Sequence, residues 1–123
     1  MKKRGFCRYS KNLYWGESVK NHSVVKWRLN HGRGQFTIFC IMRSLSESDQ
    51  LDIIHCAFLK QPYFRMNPAY IYGIAGSHSE ALELVVKISN EAAAAGFEGR
   101  LLDYLDGGEQ TEMPYESVSD NNI

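Results

Sequence analysis

The sequence has no long run of apolar residues. Its longest apolar stretches are interrupted by residues such as His55, Gly73 and Lys87, whereas a membrane-spanning helix needs about 18 to 20 consecutive apolar residues. The basic start, MKKR, resembles that of a signal peptide, but no apolar stretch of about 7 to 15 residues follows it. We therefore expect no membrane span and no export.

Cysteine is scarce and odd in number. Cys7, Cys40 and Cys56 have no close neighbour among themselves, which makes a poor disulfide framework and leaves no C-x-x-C metal motif. Unpaired thiols fit a reducing compartment, so the sequence predicts a cytoplasmic location.

Residue spacings that carry chemistry are also missing. His22, His31 and His78 are scattered without H-x-x-x-H spacing, so we expect neither a metal site nor a cofactor. His55 and Cys56 would point to opposite faces if they lie on a strand, although His55 could meet Cys40 on an adjoining strand. We predict no catalytic residues and favour a protein without enzymatic activity, while leaving that question open.

The net charge is zero, but the charges are unevenly distributed. Residues 1–33 carry nine Lys or Arg against one acid, and residues 77–123 carry ten acids against two bases. The basic end could bind anions while the acidic end competes for the same surface. In the alternative interpretation, both are solvated faces that aid solubility.

The clearest predicted element is a helix over Ser77–Ala95. Ser77 and Glu80 have the spacing of a capping box, Gly96 supplies a left-handed stop, and an apolar stripe lies between them. The predicted strands are Val24–Leu29, Phe36–Arg43, Leu51 to about Ala57, and Tyr70–Ala75; a helix over 51–59 is the alternative for the third. The first two are predicted to form a hairpin through residues 30–34.

These elements predict an α+β domain, with a mainly antiparallel sheet of four or five strands and one long amphipathic helix on one face. Its predicted extent is 13–105. Residues 1–12 are predicted to be a flexible basic N-terminus, and 106–123 an acidic disordered tail.

Two groups of residues are candidate binding sites. Gly73, Gly76 and Ser77 surround a strand-to-helix turn whose backbone N–H groups could hold an anion, although the spacing matches no phosphate-loop motif and the capping box competes for the same donors. Lys26, Arg28, His31 and Arg33 combine with nearby aromatic residues in the manner required for single-stranded nucleic acid. If Trp15 and Trp27 are instead core residues, that basic segment is only a solvated surface.

The sequence therefore favours a small non-enzymatic binding or regulatory module that acts through a protein or single-stranded nucleic-acid partner. The alternative is an enzyme or small-ligand binder that uses the Gly73–Ser77 turn as an anion site. A homo-oligomer formed through a sheet edge is a third hypothesis.

Overall fold

The computed structural model describes residues 7–31, 37–46 and 48–111, with side chains through residue 107. The predicted α+β class is confirmed. In chain order the elements are β1 (Cys7–Trp15), α1 (His22–Asn30), β2 (Phe39–Arg43), β3 (Leu51–His55), a 3-10 helix (Cys56–Lys60), α2 (Tyr63–Met66), β4 (Ala69–Ala75), α3 (His78–Ala94) and α4 (Leu101–Thr111).

The four strands form one sheet in the order β1-β4-β2-β3. Strand β2 pairs antiparallel with both β3 and β4, as in Cys40 opposite Ile74. Strand β1 instead runs parallel to β4, with Tyr9 opposite Ile71. The sheet predicted as mainly antiparallel is therefore a mixed one.

Helices cover both faces of this sheet. On one face, Ile71 of β4 belongs to a buried cluster with Val25 and Leu29 of α1. On the other face, Tyr72 packs with Ile88 of α3 and with α4. The predicted long helix is α3, but it shares its face with α4. No helix formed by the described residues combines the length and apolar character that a membrane span requires.

The prediction of a strand over Val24–Leu29 is wrong, because α1 spans this segment. Val25 and Leu29 are buried four residues apart, as the helical period requires, while Trp27 between them is 51% exposed. In a run of only five residues, the first and the fifth lie on one face of a strand and also on one face of a helix. The alternation from Val25 to Leu29 therefore does not distinguish the two structures. The predicted hairpin required this strand and is therefore wrong as well. Residues 32–36, which belong to its predicted turn and second strand, lie outside the described residues.

Regular secondary structure is present on both sides of the predicted domain bounds, 13 and 105. Residues 7–12, assigned from sequence to a flexible segment, belong to β1, because the Cys7 N–H donates to Asn30 Oδ1 and the strand pairs with β4. At the other end α4 continues to Thr111, beyond the predicted start of the tail at 106. Residues 1–6 and 112–123 lie outside the described residues.

Helix α3 confirms the predicted cap and apolar stripe. Ser77 Oγ accepts a hydrogen bond of 3.1 Å from the Glu80 N–H, and Ala81, Leu84 and Ile88 are buried. Gly96 adopts a φ of 90° just past the helix end, a backbone conformation that costs glycine little. The Glu80 carboxylate, however, bonds to groups other than Ser77.

A polar cluster fastens α4 to the sheet. The buried Tyr72 hydroxyl donates to Asp106 Oδ1 at 2.7 Å and accepts from Arg43 Nη2 at 2.7 Å. Arg43 Nη2 also lies 2.8 Å from Asp106 Oδ2. Three residues from β2, β4 and α4 are thereby joined, and burial raises the pKa of the Tyr72 hydroxyl, which keeps its proton.

We expect Tyr72→Phe to lower the free energy of unfolding by about 1–2 kcal/mol, because the hydroxyl bonds to two charged groups that can still pair with each other. Urea denaturation measures the change. Tyr63→Phe, at a tyrosine that is 51% exposed, is the matched control and should leave the midpoint unchanged. Equal midpoints for all three proteins would show that the hydroxyl does not stabilise the fold.

Candidate functional site

Helix α1 is held to β1 by its inner face. Val25 and Leu29 are buried, and the Tyr9 hydroxyl donates to the Lys26 carbonyl at 3.0 Å. The Cys7 N–H donates to Asn30 Oδ1 at 3.0 Å. These contacts set the rotation of α1, so its opposite face is turned towards solvent.

The outer face of α1, defined by Val24, Trp27 and His31, combines apolar and aromatic surface. Val24 is 49% and Trp27 is 51% exposed, and the spacing of these residues puts them on one side of a helix. The Trp27 and His31 rings stack with centroids 4.2 Å apart. His31 Nδ1 donates to the Trp27 backbone carbonyl at 2.7 Å, which holds the imidazole against the exposed indole.

Cations border this outer face. At about 100° per residue, Lys26 and Arg28 lie on opposite sides of Trp27. The Lys26 ammonium sits 5.1 Å from the centre of the Tyr9 ring. Helix α1 contains no acidic residue, so its side chains favour an anionic partner.

The structure brings together three of the four predicted basic residues. Lys26 and Arg28 are on α1 and His31 follows it, whereas Arg33 lies outside the described residues. They surround a helix face, where the sequence predicted the wet face of a strand. Sequence analysis did not identify Trp27 as the centre of this face, although Val25 and Leu29 carry the helical spacing that would have placed it there.

The three residues of the predicted anion site occupy different environments. Gly73 lies inside β4, opposite Ile41 and Tyr14. Gly76 and Ser77 form the turn before α3, where Ser77 caps the helix. Gly73 is therefore a residue of the sheet, and of the three only Gly76 and Ser77 belong to the turn.

A carboxylate of the chain itself occupies the donors of this turn. Glu80 Oε1 accepts from the Gly76 N–H at 2.7 Å and from the Ser18 hydroxyl at 2.7 Å, and Oε2 accepts from the Ser18 N–H at 3.1 Å. These hydrogen bonds lower the pKa of Glu80, and the bond from the Gly76 N–H has the largest effect. A Cβ atom at Gly16 would overlap the Glu80 carboxylate, so glycine at this position permits the close approach.

We call this arrangement the Glu80 clamp: the carboxylate with Gly16, Ser18 and Gly76. It joins the loop between β1 and α1 to the turn between β4 and α3. Because β1 and β4 are parallel, their carboxyl ends meet at this same edge of the sheet. Three surface cavities, of about 900, 480 and 290 Å³, all include residues of the loop.

The cysteines do not form a reactive centre. Cys7, Cys40 and Cys56 are buried and form no disulfide. Burial raises the pKa of the Cys7 thiol to about 12 and that of Cys40 well above its ordinary value, so both remain protonated, poor nucleophiles.

The pairing considered between His55 and Cys40 is not formed. His55 lies opposite Phe39 in the strand register, with the ring centroids 5.2 Å apart and edge-on. Cys56 leaves the strand at the 3-10 helix, which brings its sulfur within 3.9 Å of His55 Nδ1. That nitrogen already accepts the Ala57 N–H at 3.0 Å. Over the described residues, no group of three His, Cys, Asp or Glu side chains could hold a metal ion.

No protein-family model, curated protein or solved structure matches this chain.

The lowered pKa of Glu80 gives a pH-dependent prediction. The ionised carboxylate stabilises the fold above its ordinary pKa of 4.5, and this contribution is lost as the pH falls through the lower pKa of the folded state. We expect Glu80→Gln to lower the melting temperature at pH 7. The difference in melting temperature between this variant and the wild type should become smaller below pH 4.

Glu83→Gln is the control, because Glu83 lies on the same helix and is exposed. This variant should melt like the wild type throughout the titration. If Glu80→Gln lowered the melting temperature equally at pH 7 and pH 3, the clamp would not act through its charge.

Proposed function

We propose that the chain is a non-enzymatic binding module that recognises single-stranded nucleic acid through the outer face of α1. The observation that carries the proposal is the exposed indole of Trp27, which stacks on His31 and lies between two cations of the same helix. Fully packed tryptophans contribute to the core, whereas this ring leaves half of its surface to solvent. Exposed aromatic rings flanked by cations are the usual platform for unpaired bases.

Stacking provides the contact with bases. Trp27 and His31 already form a stacked pair with an interplanar angle of 24°, so a base meets a pre-arranged aromatic surface. Fixing the ring in advance reduces the entropy lost on binding. Any base presents a flat face, so the expected preference for sequence is weak.

Phosphate groups are the second contact. Lys26 and Arg28 border the stacked pair on either side, and α1 has no acid that would repel a polyanion. Because the chain as a whole carries no net charge, the attraction is local to this face. Binding should therefore weaken steeply as salt is added.

The anion site at the Gly73–Ser77 turn is less well supported as the main function. The Gly76 N–H donates to Glu80 and the Ser77 hydroxyl accepts from the helix. An external anion would have to displace a carboxylate that belongs to the chain.

A cytoplasmic location is part of the proposal. It is supported by three buried thiols that form no disulfide and would stay reduced in that compartment. Nucleic acid in single-stranded form is accessible there.

The proposal predicts how oligonucleotide binding changes on mutation. Trp27→Ala should weaken binding of a fluorescent single-stranded oligonucleotide by about 1–3 kcal/mol through lost stacking, with the salt dependence preserved. Lys26→Ala and Arg28→Ala should each flatten the log-log salt slope by about 0.7. Fluorescence anisotropy at several salt concentrations measures both quantities.

Two controls match these changes on another part of the surface. Tyr63→Ala removes an aromatic ring of equal exposure, and Lys60→Ala removes an exposed cation; neither should alter binding. The proposal fails if wild-type protein binds no single-stranded DNA or RNA at low salt. Retained binding by Trp27→Ala would also exclude α1 as the surface, and capture of a protein through Trp27 alone would replace nucleic acid as the partner.

A further inference from the structure

Strand β3 is an edge strand. It stands after β2 at one end of the sheet order, and no other strand of the described chain lies beside it. Its pairing with β2 is regular from Leu51 to His55. Its sequence, LDIIH, contains neither the proline nor the lysine that commonly block an open edge. The edge is therefore suited to bind another strand.

Two hydrogen bonds at the ends of β3 determine which of its backbone groups face β2. The Cys56 N–H donates to the Ile38 carbonyl at 2.8 Å, and the Ser44 N–H donates to the Gln50 carbonyl at 3.0 Å. In an antiparallel ladder, residues that bond to the partner strand alternate with residues whose N–H and C=O groups point away from it. The even-numbered residues from 50 to 56 therefore bond to β2.

The odd-numbered residues Leu51, Ile53 and His55 direct their N–H and C=O groups to the open edge. This set is complementary to itself. When a second copy approaches antiparallel with a two-fold axis at Ile53, Leu51 of each copy faces His55 of the other, and the two Ile53 residues face each other. Each facing pair then exchanges two hydrogen bonds.

Hydrogen bonding and charge together fix the position of this axis. An axis at Asp52 or at Ile54 pairs only two of the three outward-directed residues. An axis at Asp52 also places the Asp52 carboxylates of both copies directly opposite each other, which is unfavourable. With the axis at Ile53, Asp52 faces Ile54 of the other copy and the two carboxylates lie apart. The register centred on Ile53 is therefore the most favourable of the three.

Apolar side chains border the same edge. Leu51, Ile53 and Ile54 are only half-buried, so a neighbouring strand removes more of their surface from water. Leu51, Ile53 and Val85 of α3 pack against the same buried cluster. Leu82 precedes Val85 by three residues on the same side of α3, and it is 47% exposed. Apolar surface thus continues from β3 towards α3.

We propose that two copies of this chain pair antiparallel through β3, about a two-fold axis at Ile53. A second copy is the partner because the outward-directed residues of β3 pair with themselves and because this register separates the Asp52 charges. A strand of five residues forms a small interface, so the dimer is weak and forms as the protein concentration rises. The outer face of α1 takes no part in the pairing.

Amide hydrogen exchange of the full-length, ¹⁵N-labelled chain tests the pairing. The N–H groups of Leu51, Ile53 and His55 should exchange rapidly in dilute protein and at least about tenfold more slowly in concentrated protein. Those of Asp52 and Ile54, which bond to β2, should be protected at both concentrations. Sedimentation velocity at the same concentrations measures the fraction of dimer.

Position 55 offers a matched pair of variants. His55 has a φ of −75°, which proline adopts readily, so His55→Pro removes the outward-directed N–H without straining the backbone. His55→Ala loses the same imidazole but keeps this N–H. Because the axis repeats each change in both copies, the dimer dissociation constant of His55→Pro should exceed that of His55→Ala by at least about tenfold. Met66→Ala, at an apolar side chain that is 79% exposed, is the control and should dimerise like the wild type.

A cross-linking experiment tests the position of the axis. In Ile53→Cys the two new thiols face each other, so oxidised glutathione should produce a disulfide-linked dimer. In Asp52→Cys the new thiols are two residues out of register, which is too far for a disulfide. Preferential cross-linking of Asp52→Cys would contradict the proposed register.

Two further results would overturn the pairing itself. One is a chain that remains monomeric up to about 1 mM, and the other is equal dimerisation of His55→Pro and His55→Ala. Loss of the dimer in Met66→Ala would place the contact on a different surface and reject β3. None of these measurements uses nucleic acid, so oligonucleotide binding by a strictly monomeric chain would retain the proposed function and reject this inference alone.

Discussion

Strand β4 is the constraint on which the rest of the structure depends. It pairs with β1 on one side and β2 on the other, and almost every residue from Ala69 to Ala75 is buried. A strand that is covered on both faces and paired at both edges can lie only in the middle of a sheet. The helices must then divide between the two faces.

The parallel pairing of β1 and β4 sets the geometry of the region around the proposed site. Parallel strands end at the same edge, so the loop after β1 and the turn after β4 are neighbours although they are far apart in sequence. Glu80 uses this proximity when it bonds Ser18. The same proximity leaves α1 beside a cavity and gives it one anchored and one exposed face.

Much of the central architecture could be predicted from local patterns. Helix α3 has a cap, a stop and an apolar stripe within one segment, and the strands around Ile41 and Ile74 are apolar on both faces. Helix α1 could not be distinguished from a strand, because Val25, Trp27 and Leu29 alternate with Lys26 and Arg28 while Val25 and Leu29 also have helical spacing.

Contacts between segments that are distant in the sequence could not be predicted from local sequence patterns. Ser77 and Glu80 have the spacing of a capping box, and half of that box is present in the Ser77 cap. The other half is lost because Ser18 and Gly76 offer the Glu80 carboxylate better-placed donors. Nothing in the spacing of residues 77–80 indicates a partner at position 18. The surface cavities around the loop between β1 and α1 depend on the same long-range arrangement, so their linings could not be assembled from the sequence.

The two edges of the sheet differ in a way that would govern any self-association. The pairing of β1 with β4 shifts register between Tyr9 and Tyr14, which interrupts the regular row of backbone groups that an added strand would need. Strand β3 keeps an unbroken register with β2 from Leu51 to His55. Of the two edges formed by the described strands, β3 is therefore the one that favours strand-to-strand pairing of two copies. Two copies joined antiparallel at β3 would close as a two-fold symmetric pair with both β1 edges outermost.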